Sequence, residues 1–200
     1  MIPSVGELRA LKNQGFNLVP VWTERLADTE TPVSAYLKVA AGQSPDHAFL
    51  LESVEGGETV ARYSFLGRDP RSIFRSRDGK WRLDSPEGSE EGDGLPLEAL
   101  RRILAQLKVQ QPEGLPPLAG AVGFAAYDSI RLVENLPDSC VNDLGVDDLR
   151  FGFYDAGVVF DNRRHRMMVW SFADIRKDTP EAALEAALER IRALEAKLDA

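Results

Sequence analysis

Apolar and polar positions along the chain alternate between two periods. Ser4-Val5-Gly6-Glu7 has the spacing of a capping box, and Gly15 can close the short helix it starts. Residues 18–24 then alternate as a strand, in which Pro20 favours an edge position. Thr31-Pro32 predicts a capped helix with proline in its first turn and Gly42 beyond its end, with Val33, Tyr36, Leu37 and Ala40 as the apolar face. From His47 the strand period takes over. Ala48-Phe49-Leu50-Leu51 is a continuous apolar run, expected to be covered on both faces. Residues 62–66, 72–76 and 80–84 are further strands, the last two joined by the hairpin dipeptide Asp78-Gly79.

The second half continues the mixture. Residues 86–94 are acidic and rich in Gly and Ser, which predicts a mobile surface loop, and a helix follows over 96–108. Residues 112–117 form a proline-rich connector. Residues 120–127 are apolar with small side chains, predicting a buried strand that another backbone approaches closely. Residues 151–161 and 166–172 are the longest strand candidates, turning near Asn162. Thr179-Pro180 caps a final helix whose Leu184, Leu188, Ile191, Leu194 and Leu198 form a stripe too short for a coiled coil, and so suited to packing on a sheet. The expected fold is α+β, mostly antiparallel sheets with helices on their outer faces.

Composition narrows the function classes. The 200 residues are 44% hydrophobic and 28% charged, an ordinary globular balance that suits one domain or two small ones. The net charge of -8 opposes nucleic acid as a partner. Arg62, Arg68, Arg71, Arg75, Arg77, Lys80 and Arg82 form a local basic run, which strand alternation is expected to spread over two faces. Cys140 is the only cysteine, so neither an intrachain disulfide nor a cysteine-pair metal site is available. No signal peptide is expected from the first residues, and no apolar run approaches the ~20 residues that cross a bilayer. A cytoplasmic protein is the expectation, without a membrane partner.

Candidate catalytic chemistry is sparse. His47 and His165 have no partners at metal-ligand spacing, and no nucleophile elbow, Walker loop or dinucleotide fingerprint occurs. Gly120-Ala121-Val122-Gly123 lacks the third glycine of a phosphate cradle. No catalytic residue, metal ligand or cofactor is therefore assigned to the chain. The segment 50–67 is more specific. Glu52 and Ser53 end an apolar strand, Glu55-Gly56-Gly57-Glu58 turns sharply, and the chain returns through Arg62, Tyr63 and Ser64. An amino acid ligand needs a carboxylate for its ammonium, a hydroxyl or amide for its carboxylate, and an apolar slot. These residues and the neighbouring leucines supply all three types, although from chemistry alone a solvated strand end before a glycine turn accounts for them more readily.

Three blocks add a resemblance. Leu50-Leu51-Glu52-Ser53-Val54-Glu55-Gly56-Gly57-Glu58 with Ala61-Arg62-Tyr63-Ser64-Phe65-Leu66-Gly67 is similar to the LLES…GGE…RYSF-G signature of anthranilate synthase large subunits. Gly120 to Phe124 with Tyr127-Asp128, Arg131, Glu134, Leu136 and Pro137 resembles a second block of that family. Asp143-Leu144-Gly145 with Phe151-Gly152-Phe153-Tyr154-Asp155 and residues 158–161 resembles a third. Ala119, Leu132 and Asp147 depart from the family pattern, all outside the LLES block.

The resemblance implies that residues 1–200 are an amino-terminal regulatory region of anthranilate synthase component I, with the fold of that enzyme's amino-terminal part. It implies a tryptophan-binding, feedback-inhibited site at Leu51, Glu52 and Ser53, and at Arg62, Tyr63 and Ser64. The whole subunit of the family converts chorismate, with ammonia or glutamine-derived nitrogen and Mg2+, to anthranilate and pyruvate, in concert with a glutamine amidotransferase subunit. Its chorismate and magnesium motifs belong to a carboxy-terminal half outside this sequence, so the segment alone is expected not to be catalytic. Aminodeoxychorismate synthase component I and a freestanding amino-acid-binding module are the alternatives.

Overall fold

A computed structural model describes residues 1–42, 47–52, 62–118, 120–137, 144–176 and 178–200. The chain divides into two compact units, the first of residues 1–69, 107–119 and 154–200, the second of residues 70–106 and 120–153.

The first unit is a five-stranded antiparallel sheet with helices on one face. Its strands are β1 (Leu18–Leu26), β2 (Ala48–Leu51), β3 (Tyr63–Arg68), β9 (Ala156–Asp161) and β10 (Arg166–Asp174), in the order β1-β10-β9-β3-β2. Helix α1 (Val5–Asn13) opens with the expected capping box, in which Ser4 accepts from the Glu7 amide and the Glu7 carboxylate accepts from that of Ser4. Helix α2 (Pro32–Ala40) is capped by Thr31, and α4 (Pro180–Leu198) by Thr179. The α4 stripe packs on the sheet: Ile191, Leu194 and Leu198 of the expected set, with Ala183 and Ala187, join Val19, Val21, Val158, Phe160, Met167 and Val169 in one core, while Leu184 and Leu188 are only partly buried against it. Burying each of these larger side chains contributes about 1.5–3 kcal/mol, which holds α4 more firmly than its helix propensity could.

The opposite face carries a second, aromatic core of Leu18, Trp22, Val159, Met168, Trp170 and Phe172. Leu118 is also part of it, and Leu107, Val109 and Leu115 lie against it. Pro20 sits, as expected, on an edge strand, opposite Phe172 of β10.

The second unit is another five-stranded antiparallel sheet, β6 (Gly88–Asp93), β5 (Lys80–Ser85), β4 (Ser72–Arg77), β8 (Leu149–Phe153) and β7 (Val122–Ala125), in that order. Asp78 and Gly79, at φ 51° and 73°, make the two-residue β4–β5 turn. Helix α3 (Pro96–Ala105) presents Ala99, Leu100 and Ile103 to the interior, and Arg102 lies over the Trp81 ring at 5.4 Å.

Several expectations are corrected. The buried face of α2 is Ala35 and Val39, whereas Val33 and Leu37 are exposed, because the helix turns its 35/39 ridge toward the sheet. Strand β2 is an edge strand, not one covered on both faces, and Leu51 is 49% exposed. The acidic stretch 86–94 holds strand β6 in place of a loop. Its polar side chains are matched across the sheet: Glu91 stands opposite Arg82, and Ser89 donates to Asp84 at 2.8 Å. Residues 122–125 do meet a close backbone, since a Cβ on Gly123 would lie 1.8 Å from the Arg150 carbonyl oxygen, but the strand is an exposed edge. Residues 151–161 are two strands, broken at Tyr154-Asp155, where the chain leaves one sheet for the other. The helix expected over 96–108 ends at Ala105.

The basic run also differs from its expected scatter. Arg75 pairs with Arg82 and Arg77 with Lys80, and residues directly opposite share a face, so all four lie on one side of the second sheet. Arg62, Arg68 and Arg71 instead pair with Asp161, Asp69 and Glu87.

Candidate functional site

Strands β2 and β3 run antiparallel with Leu50 opposite Leu66 and Leu51 opposite Phe65. The end of β2 and the start of β3 therefore meet at one end of the first sheet, which brings Leu51 and Glu52 to the same corner as Arg62 and Tyr63. Strand alternation then sorts the side chains. Leu51, Tyr63 and Phe65 share a face, with the Tyr63 and Phe65 ring centroids 6.3 Å apart. Leu51 is half-exposed and Glu52 exposed, so an apolar wall and a carboxylate are both open to solvent. Ser64 points the other way. It is fully buried and accepts a hydrogen bond from Asn162 Nδ2 at 3.1 Å. Ser53 and the rest of residues 53–61 lie outside the described residues.

Arg62 is held from the next strand. Its Nε donates to Asp161 Oδ1 and Oδ2 at 3.3 and 3.2 Å, and Nη2 donates to Oδ2 at 2.8 Å. The guanidinium also lies over the Tyr63 ring, 4.6 Å from its centroid. Asp161 faces Tyr63 in the β3–β9 register, and the Asn162 amide donates to the Arg62 carbonyl at 2.8 Å. Burial pushes the Asp161 carboxyl up, but its bonds to Arg62 and to the Arg164 amide outweigh this and leave it below its ordinary value. The same ion pair raises the Arg62 guanidinium.

Asp161 and Asn162 are thus the residues that build this corner, and they lie about a hundred positions from it in sequence. The only signal that touches them is Asp161 as the last residue of the third resemblance block.

Among the described residues, two concavities bear on what else could bind. Behind Tyr63 lies a cavity of about 60 Å³, lined by Leu115, Pro116, Val159, Asp161 and Met168 among others. Ligand pockets for small molecules run to roughly 300 Å³ or more, so an indole has no room in this cavity. A broad groove of about 790 Å³ lies on the second unit along Arg75, Arg77, Lys80 and Arg82, and it shares no residue with the predicted set. Its lining also includes Asp78, Glu91, Asp93 and Asp147, so the cations there are balanced by carboxylates.

Among the described residues no three His, Cys, Asp or Glu side chains converge as a metal site. The resemblance assigns its magnesium to the carboxy-terminal half outside this sequence, and no step is assigned to it here. No helix among them is long and apolar enough to cross a membrane. His165 sits exposed at φ 50° in the β9–β10 turn.

No family model matches the chain. Among curated proteins, anthranilate synthase component 1 of Mycolicibacterium smegmatis is 46% identical over 146 residues, 72% of this chain and 27% of that protein. The protein of the same name from Acetivibrio thermocellus is 33% identical over 194 residues, 96% of this chain and 38% of its own length. That of Pseudomonas aeruginosa is 36% identical over 195 residues, 93% of this chain and 39% of its own. The crystal structure of anthranilate synthase component I from Streptococcus pneumoniae shares the fold, with a TM-score of 0.56 and 23% identity across 86% of this chain and 36% of that one.

Proposed function

We propose, from the premise that this chain belongs to the anthranilate synthase component 1 family, that it is the tryptophan-sensing and structural part of such an enzyme. It spans well under half the length of these relatives, so the activity of a whole subunit enters as part of the proposal. That activity is conversion of chorismate, with ammonia or glutamine-derived nitrogen and Mg2+, to anthranilate and pyruvate in the cytoplasm. A glutamine amidotransferase component would supply the nitrogen.

The observation that carries the reading is that β2 ends at Leu51, opposite Phe65, so that Glu52 and Arg62 fall at the same end of the β2–β3 pair. An exposed carboxylate suits the ligand ammonium, a guanidinium suits its carboxylate, and a half-open apolar wall suits the indole. Ser53 supplies a hydroxyl beside them in sequence, and Ser64 steadies the corner through Asn162. Such a set binds an amino acid without transforming it, because nothing in it serves as a nucleophile with an adjacent base.

The test is a titration of the 15N-labelled 200-residue chain with L-tryptophan, followed by amide shifts. Saturable shifts at Leu51, Glu52 and Tyr63 are expected at millimolar ligand, absent with L-alanine, and weakened by Glu52→Gln. A spectrum unchanged by tryptophan removes the binding role. The same chain incubated with chorismate, ammonium and Mg2+ should form no anthranilate, and product formation would place catalysis within it.

A further inference from the structure

We propose that Asp161 is a positioning residue for this site: it fixes Arg62 so that the free edge of the guanidinium receives the ligand carboxylate, making the site selective for an α-amino acid over the corresponding amine. The inference rests on the amino-acid-binding reading above.

A guanidinium carries five N–H donors in a rigid planar fork. Asp161 occupies the side-on edge, Nε together with Nη2. Nη1 donates to no partner among the described residues, so the end-on edge, Nη1 with the second Nη2 hydrogen, remains available for a second carboxylate. That end-on geometry is the bidentate fork that arginine offers to carboxylates. The Arg62 side chain is 36% exposed, whereas Asp161 is 16% exposed. The outer partner of the pair thus meets solvent while the inner one anchors it.

Orientation matters because a free arginine side chain loses rotamer entropy when a ligand immobilises it. Here that loss is met on folding. Asp161 holds one edge of the fork, the Tyr63 ring covers one face at 4.6 Å, and the Asn162 amide ties down the Arg62 carbonyl. Asp161 is itself held by the Arg164 amide, which donates to Oδ1 at 3.2 Å.

The chemistry that recognises the ligand then divides between two residues. Glu52 offers its carboxylate to the ammonium, and Arg62 its open edge to the carboxylate. L-tryptophan presents both groups, and tryptamine presents the ammonium and the indole only. The discriminating quantity is the ratio of their dissociation constants.

That ratio is measured by NMR titration of the 200-residue chain, its Asp161→Asn, Arg62→Lys and Arg62→Ala variants, and the Asp161→Asn/Arg62→Ala double variant. Asp161→Asn keeps the shape and removes the charge. It should weaken tryptophan by about tenfold, the factor of one charge-assisted hydrogen bond, and leave tryptamine unchanged. Arg62→Ala should bring tryptophan down to the tryptamine level, and Asp161→Asn should add nothing in that background. Arg62→Lys should lose the preference too, because a single ammonium cannot satisfy two carboxylates bidentately. A tryptophan-to-tryptamine ratio unchanged in Asp161→Asn or Arg62→Lys overturns the inference, as does an equal loss for both ligands. Failure of the parent chain to bind either ligand instead sinks the amino-acid-binding reading, and the inference with it. Native-like spectra of the variants exclude unfolding as the cause, and if Asp161→Asn does not fold, Arg62→Lys decides.

Discussion

Replacing Gly123 with alanine should detach strand β7 without unfolding the sheet it borders. The added Cβ would lie 1.8 Å from the Arg150 carbonyl oxygen and 2.7 Å from the Phe151 Cα. Carbon and oxygen in contact stand about 3.3 Å apart, so the backbones must separate by roughly 1.5 Å at that point. N–H···O bonds are lost at such a displacement, since their donor–acceptor distances end near ~3.2 Å. Because β7 is an exposed edge paired only to β8, the cheapest response is for it to peel away. The cost is then the pairing itself, a few bonds at about 1 kcal/mol each, or about 3 kcal/mol in total.

Urea unfolding gives the free energy, and hydrogen exchange locates the change. Amides of Val122–Ala125 should lose protection while those of Val169 and Phe172 in the other unit keep theirs. Gly114→Ala provides the scale, with φ 78° but nothing within 4 Å, and should cost about 1 kcal/mol through backbone strain alone. Gly157→Ala should cost more than either. Its Cβ would meet the Leu66 carbonyl oxygen at 2.6 Å, and β9 cannot peel because β3 and β10 flank it. A Gly123→Ala protein within about 0.5 kcal/mol of the parent, or one exchanging uniformly across both units, refutes the argument.

Ile191→Ala empties a 1%-exposed position between α4 and the first sheet, and chemical denaturation should register a loss of about 2–5 kcal/mol. Leu51→Ala, at a half-exposed edge, should cost less than about 1 kcal/mol yet weaken tryptophan binding, and an unaltered affinity would exclude Leu51 from the apolar wall. The Asp161 carboxyl is held below its ordinary value of 3.8 in the folded state, so its pairing stabilises the protein at neutral pH. That contribution is lost as pH falls through 3.8 and then through the lower folded value, because the unfolded chain takes up its proton first. Stability measured from pH 6 to pH 3 should therefore fall less steeply in Asp161→Asn than in the parent, and parallel curves would contradict the assignment.

Features governed by neighbours a few residues away were legible in the sequence. The caps at Ser4, Thr31 and Thr179 each accept from an amide three positions on, and Asp78-Gly79 carries the φ values its turn requires, so no distant partner was needed. The corner formed by Leu51, Glu52, Arg62 and Tyr63 was half legible. Its residue types and antiparallel return could be read along the chain, but not which face each side chain takes or what holds Arg62. Strand β6 was hidden because Ser89, Glu90 and Glu91 have poor strand character alone and become a strand beside Arg82 and Asp84. The burial of α2 was misplaced by counting apolar residues, since the sheet beneath decides which ridge of a short helix is covered. Register placed four cations on one face, and the break at Tyr154-Asp155 divided one apolar run between two sheets. Asp161 gained its role in the same way. A carboxylate ninety-nine residues from Arg62 becomes its partner only when β3 and β9 pair. Local hydrogen-bond geometry is written in adjacent residues, whereas facing, pairing and charge compensation depend on which strands meet, and that is decided by burying the two cores together.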